Sequence, residues 1–379
     1  MPVGEAFLDA FINANILIVV AYLMWQATRA LMRPLGLSHD HGTQLRLLNA
    51  AFLVIVATPL LTLGHEVLLA SGLVRGLNLS DMVVAWYLNG GVEMRAADFE
   101  TLVHARDTLM IDVLSASGLL AQALIALFLT GLAVGLLRLS VSVASLWRIT
   151  RGAYGWRRFG RVRILLSDRI LVPFSTRGLT RYYVVIPSHM LAQSHELKVS
   201  IAHELQHIRQ GDLEWEVLLE ALKPLFFLNP AFHAWKRQVE ALREFRCDAA
   251  VLSRGRIGAR DYCDTLLSVC QTTLRRDRSF VIAVPKVTLV TVDRLGAREG
   301  ALGTLERRIL SLTGARRLGR HRLAFLAIAA PLMGAVMLTS LAIQRPGDWS
   351  HDRLMLSTVV NLERMDEINR LSTFGRLRD

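Results

Sequence analysis

Four long runs of uncharged, mainly apolar residues constrain this chain more than any other feature of its sequence. Each run approaches or exceeds the roughly 20 residues with which an α-helix crosses a bilayer. Charged residues make up only 20% of the chain, below the roughly 25% of an average soluble protein. Buried helices of a large soluble core are therefore the less favoured alternative. We predict four membrane-spanning helices, at residues 10–28, 47–64, 113–137 and 323–344.

The distribution of Lys and Arg between these runs predicts the topology, because cytoplasmic loops carry an excess of basic residues. Residues 75–112 contain three Arg against six Asp and Glu, whereas residues 138–322 contain 32 Lys and Arg against 16 Asp and Glu. We predict a bacterial inner-membrane protein with a periplasmic N-terminus and a cytoplasmic block between the third and fourth spans. This topology also explains the net charge of +12 without direct binding of nucleic acid.

The predicted topology divides the chain into four parts. Residues 1–147 form a three-span module with a periplasmic loop at about 75–115, and residues 148–321 form a cytoplasmic domain. Residues 322–344 form the fourth transmembrane helix, and residues 345–379 form a short periplasmic tail. In the cytoplasmic domain, the segments VRILLSD and YYVVIP predict strands, and the later pattern predicts helices. The domain is therefore expected to have an α+β fold.

The sequence HELQH at residues 203–207 is an HExxH motif in a predicted helix. His203 and His207 are four residues apart, so both imidazoles lie on one face of the helix and can reach a single ion. Glu204 is offset by about 100° around the helix axis and can act on water beside that ion. We predict a Zn²⁺ site with Glu204 as general base. The alternative, two surface histidines, is less favoured because the helix has an apolar period and follows a strand.

A catalytic zinc ion usually has three protein ligands and an open position. Glu244 is the best candidate for the third ligand, and it shares a helix face with Asp248. One of this pair can bind the metal while the other orients a ligand histidine through its ring N–H; a solvated acidic pair is the alternative. Asp212 is a second candidate for such an orienting group, although a helix C-terminal turn explains it equally well. Other candidate ligands are His233, Glu240 and Cys247.

Several short elements in order give the chain a family resemblance: HELQHIRQGD, then LNP at 228–230, Trp235, and EFRCDAAVL at 244–252. Together with the three-span start and the fourth span, they resemble the BlaR/MecR-type membrane metallopeptidases, metallopeptidase family fifty-six. The resemblance extends over roughly residues 10–345. It implies a gluzincin-like zinc metalloprotease domain inserted between spans three and four.

The resemblance also implies roles for individual residues. His203 and His207 bind zinc, Glu204 is the general base, and Glu244 is the third ligand. Antibiotic-sensing members carry a penicillin-binding sensor domain after the last span. Here only 35 residues follow Gln344, and they contain no SxxK motif. Sensing of β-lactams by this chain itself is therefore not expected.

Substrates of such proteases often add as a strand to an exposed sheet edge. We predict that the strand with Tyr183, Val184 and Val185 offers this edge; an ordinary core strand is the alternative. The expected function is regulated proteolysis of a protein substrate, either a cytosolic transcriptional repressor, a membrane-adjacent protein or the chain itself. Two alternatives are a quality-control protease for membrane proteins and a non-proteolytic signalling scaffold that contains zinc.

Overall fold

The structure is a computed structural model that describes residues 3–32, 40–70, 79–275, 287–288, 299–313, 322–342 and 351–376. The chain divides into two compact units. One comprises Met1–Trp25, Ala50–Leu129 and Ala327–Asp379, and the other comprises Gln26–Asn49 and Thr130–Leu326. The described part of the first unit is helical, and the second unit contains a mixed sheet with helices packed on it.

Five helices precede the sheet: α1 (Val3–Met32), α2 (His41–Ala70), α3 (Leu79–Leu88), α4 (Ala96–Ser115) and α5 (Gly118–Arg151). Among the described residues, two helices are long and apolar enough to cross a bilayer, Phe7–Met32 and Gly118–Arg151. Only 17% and 6% of their apolar windows are buried. A core helix of a soluble protein would be mostly buried, so both helices are candidate membrane spans. The first contains the first predicted run, and the second contains residues 118–137 of the third. Residues 113–117 of that run form the end of α4 and the turn after it instead.

Helices also cover the second and fourth predicted runs. The second run lies in α2, and the fourth lies almost entirely in α11 (Arg322–Ala342), which has Pro331 inside it. Among the residues of α11 whose side chains are described, the apolar stretch is Ala329–Ser340, and residues 323–328 continue the same apolar run in the sequence. Membrane crossing by α2 and α11 therefore stays a prediction.

The segments predicted to form the periplasmic loop and tail both contain helices. Helices α3 and α4 pack against α12 (His351–Arg376). The rings of Tyr87 and Phe99 stack at 4.0 Å between centroids. These helices share a small apolar core of Val84, Ala96, Phe99, Leu356 and Val360.

The sheet of the second unit has five strands: β1 (Tyr154–Phe159), β2 (Val162–Ser167), β3 (Phe174–Arg177), β4 (Tyr182–Pro187) and β5 (Val287–Thr288). Their order across the sheet is β1-β2-β4-β3-β5. Strands β2 and β4 are parallel, and the other neighbouring pairs are antiparallel. Strand β1 is almost entirely exposed, whereas β4 is central and largely buried.

The central position of β4 corrects the prediction of a substrate edge at Tyr183, Val184 and Val185. Strand β4 pairs with β2 along one side and with β3 along the other. Its backbone groups are therefore committed to two ladders, and no edge is left for a substrate strand. Val184 and Val185 are both fully buried, as expected for a strand covered on both faces. The alternative, an ordinary core strand, is correct.

Helices α6 (Ser194–Gln210), α7 (Asp212–Leu222), α8 (Pro230–Leu252), α9 (Ala259–Arg275) and α10 (Glu299–Thr313) follow the sheet, with β5 between α9 and α10. The sheet and helices α6, α8, α9 and α10 share one apolar core. Helix α8 starts sharply because Asn229 accepts hydrogen bonds from the backbone N–H groups of Ala231 and Phe232. Pro230 occupies the first helical position, where its missing N–H costs nothing.

Candidate metal centre

The two histidines of the HExxH motif lie side by side in the interior of the domain. His203 and His207 are four residues apart on α6, and both side chains are completely buried. Their Nε2 atoms are 3.0 Å apart. Because successive turns of a helix bring residues i and i+4 onto one face, both rings present a nitrogen to the same point.

The Nδ1 atom of His207 is held by a carboxylate from the next helix. Asp212 Oδ2 lies 2.9 Å from it, and Asp212 is itself buried and in contact with Arg246 at 3.2 Å. Gly211 makes this geometry possible, because its φ of 71° ends α6 in the left-handed conformation and starts α7 immediately. Asp212 therefore lies where an orienting group for His207 is expected.

The Nδ1 atom of His203 is held through a tyrosine. Tyr262, on α9, has its hydroxyl 2.7 Å from His203 Nδ1 and donates a hydrogen bond of 2.5 Å to Asp248 Oδ1. The direct distance from His203 Nδ1 to Asp248 Oδ1 is 3.5 Å. Asp248 thus reaches His203 mainly through Tyr262, a residue that the sequence analysis did not single out.

These contacts determine which ring nitrogen is free for a metal ion. A neutral imidazole has one N–H donor and one acceptor lone pair. With Nδ1–H directed at Asp212 in one ring and at Tyr262 in the other, both Nε2 lone pairs face each other. Two lone pairs 3.0 Å apart repel, so this tautomer pattern favours a cation between them.

Glu244 completes this arrangement from α8. Its Oε2 atom lies 3.5 Å from His203 Nε2, and its Oε1 atom lies 3.5 Å from His207 Nε2. Two imidazole nitrogens and one carboxylate are a donor set that zinc commonly takes. The structure therefore brings His203, His207 and Glu244 together around one point, with the Glu204 carboxylate also completely buried.

Arg308 on α10 contacts two carboxylates of α8, those of Glu244 and Asp248. It lies 2.9 Å from Glu244 Oε2, and it donates to both oxygens of Asp248 at 2.7 and 2.6 Å. Arg308 was not predicted from the sequence either. A signal was available, because Arg308 lies on the apolar stripe of α10 with Leu305 and Leu312, where a charged residue is unusual.

The formal charge of the centre fits a divalent cation. Four carboxylates, those of Glu204, Asp212, Glu244 and Asp248, are buried there, and two guanidinium groups contact them. The set therefore has a formal surplus of two negative charges. Ser175 lies close enough to Glu204 to favour its ionised form, but neither carboxylate oxygen has a hydrogen bond of normal geometry in the described part of the chain. A buried carboxylate with such weak partners is costly, and water beside a bound ion would supply a better one.

Burial also keeps the two histidines neutral, as metal binding requires. It lowers the pKa of His203 to about 3 and holds the pKa of His207 below its ordinary value. Burial raises the pKa of Glu204 to about 8. It raises the pKa of Glu244 to about 6, although Arg308 opposes that shift. A nearby divalent cation favours the ionised form of both carboxylates.

The other candidate ligands are less suitable. Cys247 forms a compact donor group with the two histidines, but its Sγ atom lies 3.5 Å from His203 Nδ1, on the side of the ring away from His207 Nε2. Burial also raises the pKa of its thiol, which disfavours the thiolate. His233 Nε2 lies 3.0 Å from the Phe227 carbonyl, and Glu240 pairs with Lys236. His203, Glu244 and Asp248 form a second compact donor group, but Arg308 already holds Asp248.

Comparison with known proteins supports a peptidase assignment. A stretch of 96 residues is 28% identical to the regulatory protein BlaR1 of Bacillus licheniformis. This stretch is 25% of the chain and spans only 16% of the length of that relative. The family described as BlaR1 peptidase M56 matches residues 11–289, which include all of α6 and α8. With most of its length matched and a buried metal-type donor set on the matched helices, this chain belongs to the BlaR1 peptidase M56 family.

Proposed function

We propose that the chain is a membrane-anchored zinc endopeptidase that acts in regulated proteolysis. The observation that carries this proposal is the convergence of His203 Nε2, His207 Nε2 and the Glu244 carboxylate on one point. The buried Glu204 carboxylate lies in the same cluster of acidic groups and has no hydrogen bond of normal geometry among the described residues, although Ser175 lies close to it. The family implies a membrane-associated metallopeptidase in signalling; zinc and the residue roles are part of the proposal.

In the proposed mechanism, the residues of the chain orient the reactants and move a proton. His203, His207 and Glu244 would hold the ion, and zinc bound there would supply a Lewis acid that lowers the pKa of water and polarises the scissile carbonyl. The Glu204 carboxylate takes the proton from the attacking water and delivers it to the leaving amine. Asp212, directly, and Asp248, through Tyr262, fix the tautomers of the two histidines.

The proposed topology has four spans and a cytoplasmic protease domain at 148–321. The exposed apolar helices α1 and α5 support membrane anchoring. The surplus of Lys and Arg between the third and fourth runs supports the cytoplasmic position of the domain. The boundaries at 147, 321 and 344 belong to the same proposal, as do the periplasmic N-terminus and tail.

The proposed substrate is a cytosolic repressor, a membrane-adjacent protein or the chain itself. The relative found by comparison is named a regulatory protein, which favours a few defined targets over general degradation. A non-proteolytic scaffold with structural zinc would need no buried base, and Glu204 is present and buried.

The test compares wild-type chain with Glu204→Gln and Glu196→Gln in the same cells and as purified protein. Glu196 is a matched control, because it lies on the same helix and accepts a hydrogen bond from Ser268 at 2.7 Å. We expect Glu204→Gln to retain zinc and to lose cleavage by about 10²–10⁴-fold, whereas Glu196→Gln should cleave as the wild type does.

Quantitative proteomics of the same strains separates the three functions. One or two proteins that lose their cleavage products in the Glu204→Gln strain support regulated proteolysis. Accumulation of many membrane proteins would replace it with quality control. An unchanged proteome together with full zinc occupancy would replace it with the scaffold.

A further inference from the structure

Arg308 is a buried cation beside the metal centre, and it comes from outside the segment that matches the peptidase family. The match ends at residue 289, and α10 begins at Glu299. The Arg308 side chain is only 3% exposed. Its guanidinium group contacts Glu244 and Asp248, the two acidic residues that face the histidines from α8. The matched segment therefore does not contain every group that contacts the centre.

The geometry of these contacts is that of a fork holding two carboxylates. The Nε and NH2 groups of Arg308 donate to the two oxygens of Asp248, at 2.7 and 2.6 Å. The remaining NH1 group lies 2.9 Å from Glu244 Oε2. A guanidinium group is planar and presents five N–H donors in a fixed pattern. One side chain can therefore fix the orientation of two carboxylates that are one helical turn apart.

Two opposite effects on the metal follow from this position. The positive charge of Arg308 repels a cation, so its removal would tighten metal binding if charge alone mattered. Its ion pair with Glu244 and its two hydrogen bonds to Asp248 also hold these carboxylates in place and keep them from repelling each other, so its removal would weaken metal binding if orientation mattered more. The four buried carboxylates already exceed the contacting cations by two formal charges. A cation is therefore attracted to the centre even with Arg308 present. The orientation of the ligand carboxylates, and not the local charge, then limits the metal affinity.

We propose that Arg308 is a positioning residue of the metal centre, which holds Glu244 in place as the third ligand and holds Asp248 against Tyr262. This inference rests on the proposed function, since it assigns Glu244 to the metal. It makes α10 a structural part of the centre, although α10 supplies no ligand. The functional unit of the protease therefore extends at least to residue 308.

The test measures zinc affinity of the detergent-purified full chain by competition with a chromophoric chelator. The variants are Arg308→Met, Arg308→Lys and, as a matched control, Arg307→Met, which changes the exposed neighbour on the same helix. We expect Arg308→Met to weaken zinc binding by about 10- to 100-fold, as is usual for groups that orient metal ligands. Arg308→Lys keeps the charge without the fork, so its affinity should be intermediate. Arg307→Met should bind zinc as the wild type does.

Cobalt-loaded protein gives a readout that a purely structural role would not move. The visible absorption of bound Co²⁺ depends on the number and arrangement of its ligands. We expect the bands to change in Arg308→Met and Arg308→Lys and to be unchanged in Arg307→Met. If Arg308→Met does not fold, Arg308→Lys, which retains the buried charge, is the deciding variant.

Two results would overturn the inference. One is tighter zinc binding in Arg308→Met, which would make the residue an electrostatic competitor of the metal. The other is a wild-type affinity and cobalt spectrum in Arg308→Lys, which would show that the fork is not needed. A wild-type chain that binds no metal would instead overturn the proposed function, so the two failures can be told apart.

Discussion

Helix α8 contributes to two buried charged clusters that differ in how their charges are balanced. Around the middle of the helix, Lys236 contacts Glu216 and Glu220 at 2.9 Å each and also contacts Glu240, and Arg243 contacts Glu216 at 2.5 Å. We call these residues the Lys236 cluster. In its second half, Glu244 and Asp248 join Glu204 and Asp212 at the metal centre.

The two clusters differ in how far the charged groups of the protein satisfy one another. Every carboxylate of the Lys236 cluster contacts a cation of the chain. At the candidate metal centre, Glu204 has no hydrogen bond of normal geometry in the described part of the chain, although Ser175 lies close to it, and two imidazole nitrogens are 3.0 Å apart. In the first cluster the three carboxylates exceed Lys236 and Arg243 by one formal charge, and each of them contacts a cation. At the candidate metal centre the formal surplus is two, which a divalent cation would balance.

The largest expected effect removes a ligand from the metal centre. His203→Ala should lose bound zinc and all measurable proteolysis, because one imidazole and one carboxylate leave the ion with too few ligands. Zinc content by mass spectrometry of metals and cleavage of the identified target measure this. His195→Ala is the matched control, since His195 lies on the same helix with its side chain 58% exposed. Full zinc content in His203→Ala would contradict the assigned centre.

Disruption of the Lys236 cluster should lower the stability of the domain without directly changing its zinc content. Lys236→Met removes the cation that buried Glu216 and half-buried Glu220 share, while Arg243 still contacts Glu216. We therefore expect a loss near the lower end of the about 3–5 kcal/mol that a broken buried pair costs. Thermal unfolding in detergent measures the loss, with zinc content per folded chain unchanged. Lys223→Met is the control, because Lys223 lies 3.8 Å from the same Glu220 but is 49% exposed, and it should change stability by less than about 0.5 kcal/mol. Equal effects of the two variants would remove the contrast between the clusters.

The orienting carboxylate of His207 should matter less than the ligands themselves. Asp212→Asn removes the charged partner of His207 Nδ1 and should weaken zinc binding by about 10- to 100-fold. Competition with a chelator measures the change. Asp261→Asn, at an exposed side chain on α9, should leave the affinity as it is. An unchanged affinity in Asp212→Asn would mean that the turn at Gly211, and not the carboxylate, orients the ring.

The smallest expected effect is a pH dependence of the stability that the Lys236 cluster contributes to the fold. Burial acts to raise the pKa of Glu216, but Lys236 and Arg243 outweigh it, so the pKa lies below its ordinary value. The ionised carboxylate therefore stabilises the fold above a pH of about 4.3, its ordinary pKa, and this contribution is lost as the pH falls towards the lower pKa of the folded state. The difference in melting temperature between the wild type and Glu216→Gln should be constant from pH 7 to 5 and shrink below about pH 4. A difference that grows on acidification would contradict the ion pairing.

Local pattern predicted much of the candidate site, and long-range packing supplied the rest. The spacing within 203–207 placed two histidines on one helix face, and the spacing of Glu244 and Asp248 placed both on one face of another helix. Each of these predictions needs only the helical period. Tyr262 and Arg308 come from helices that the sequence analysis did not examine for site residues, and no short spacing links them to the motif.

For the fold, too, local pattern predicted one part and long-range packing decided the rest. The α+β character followed from periodicity, but the order of strands did not, because β2 and β4 are neighbours in the sheet while β3 lies between them in sequence. A strand rich in aromatic and β-branched residues suits an edge or a centre equally well. Only the pairing of Tyr183, Val184 and Val185 on both sides decides between these positions.

Gly211 has a consequence for how such proteins are recognised among uncharacterised genes. Its left-handed backbone would cost most other residues about 1–2 kcal/mol, and it lets one helix stop and the next start without a spacer. Both histidines and the carboxylate that contacts His207 therefore lie within ten consecutive residues, from His203 to Asp212. A search with the five-residue HExxH pattern also finds helices in which no carboxylate orients the second histidine. A pattern that extends to the glycine and the aspartate selects sequences in which such a carboxylate is present.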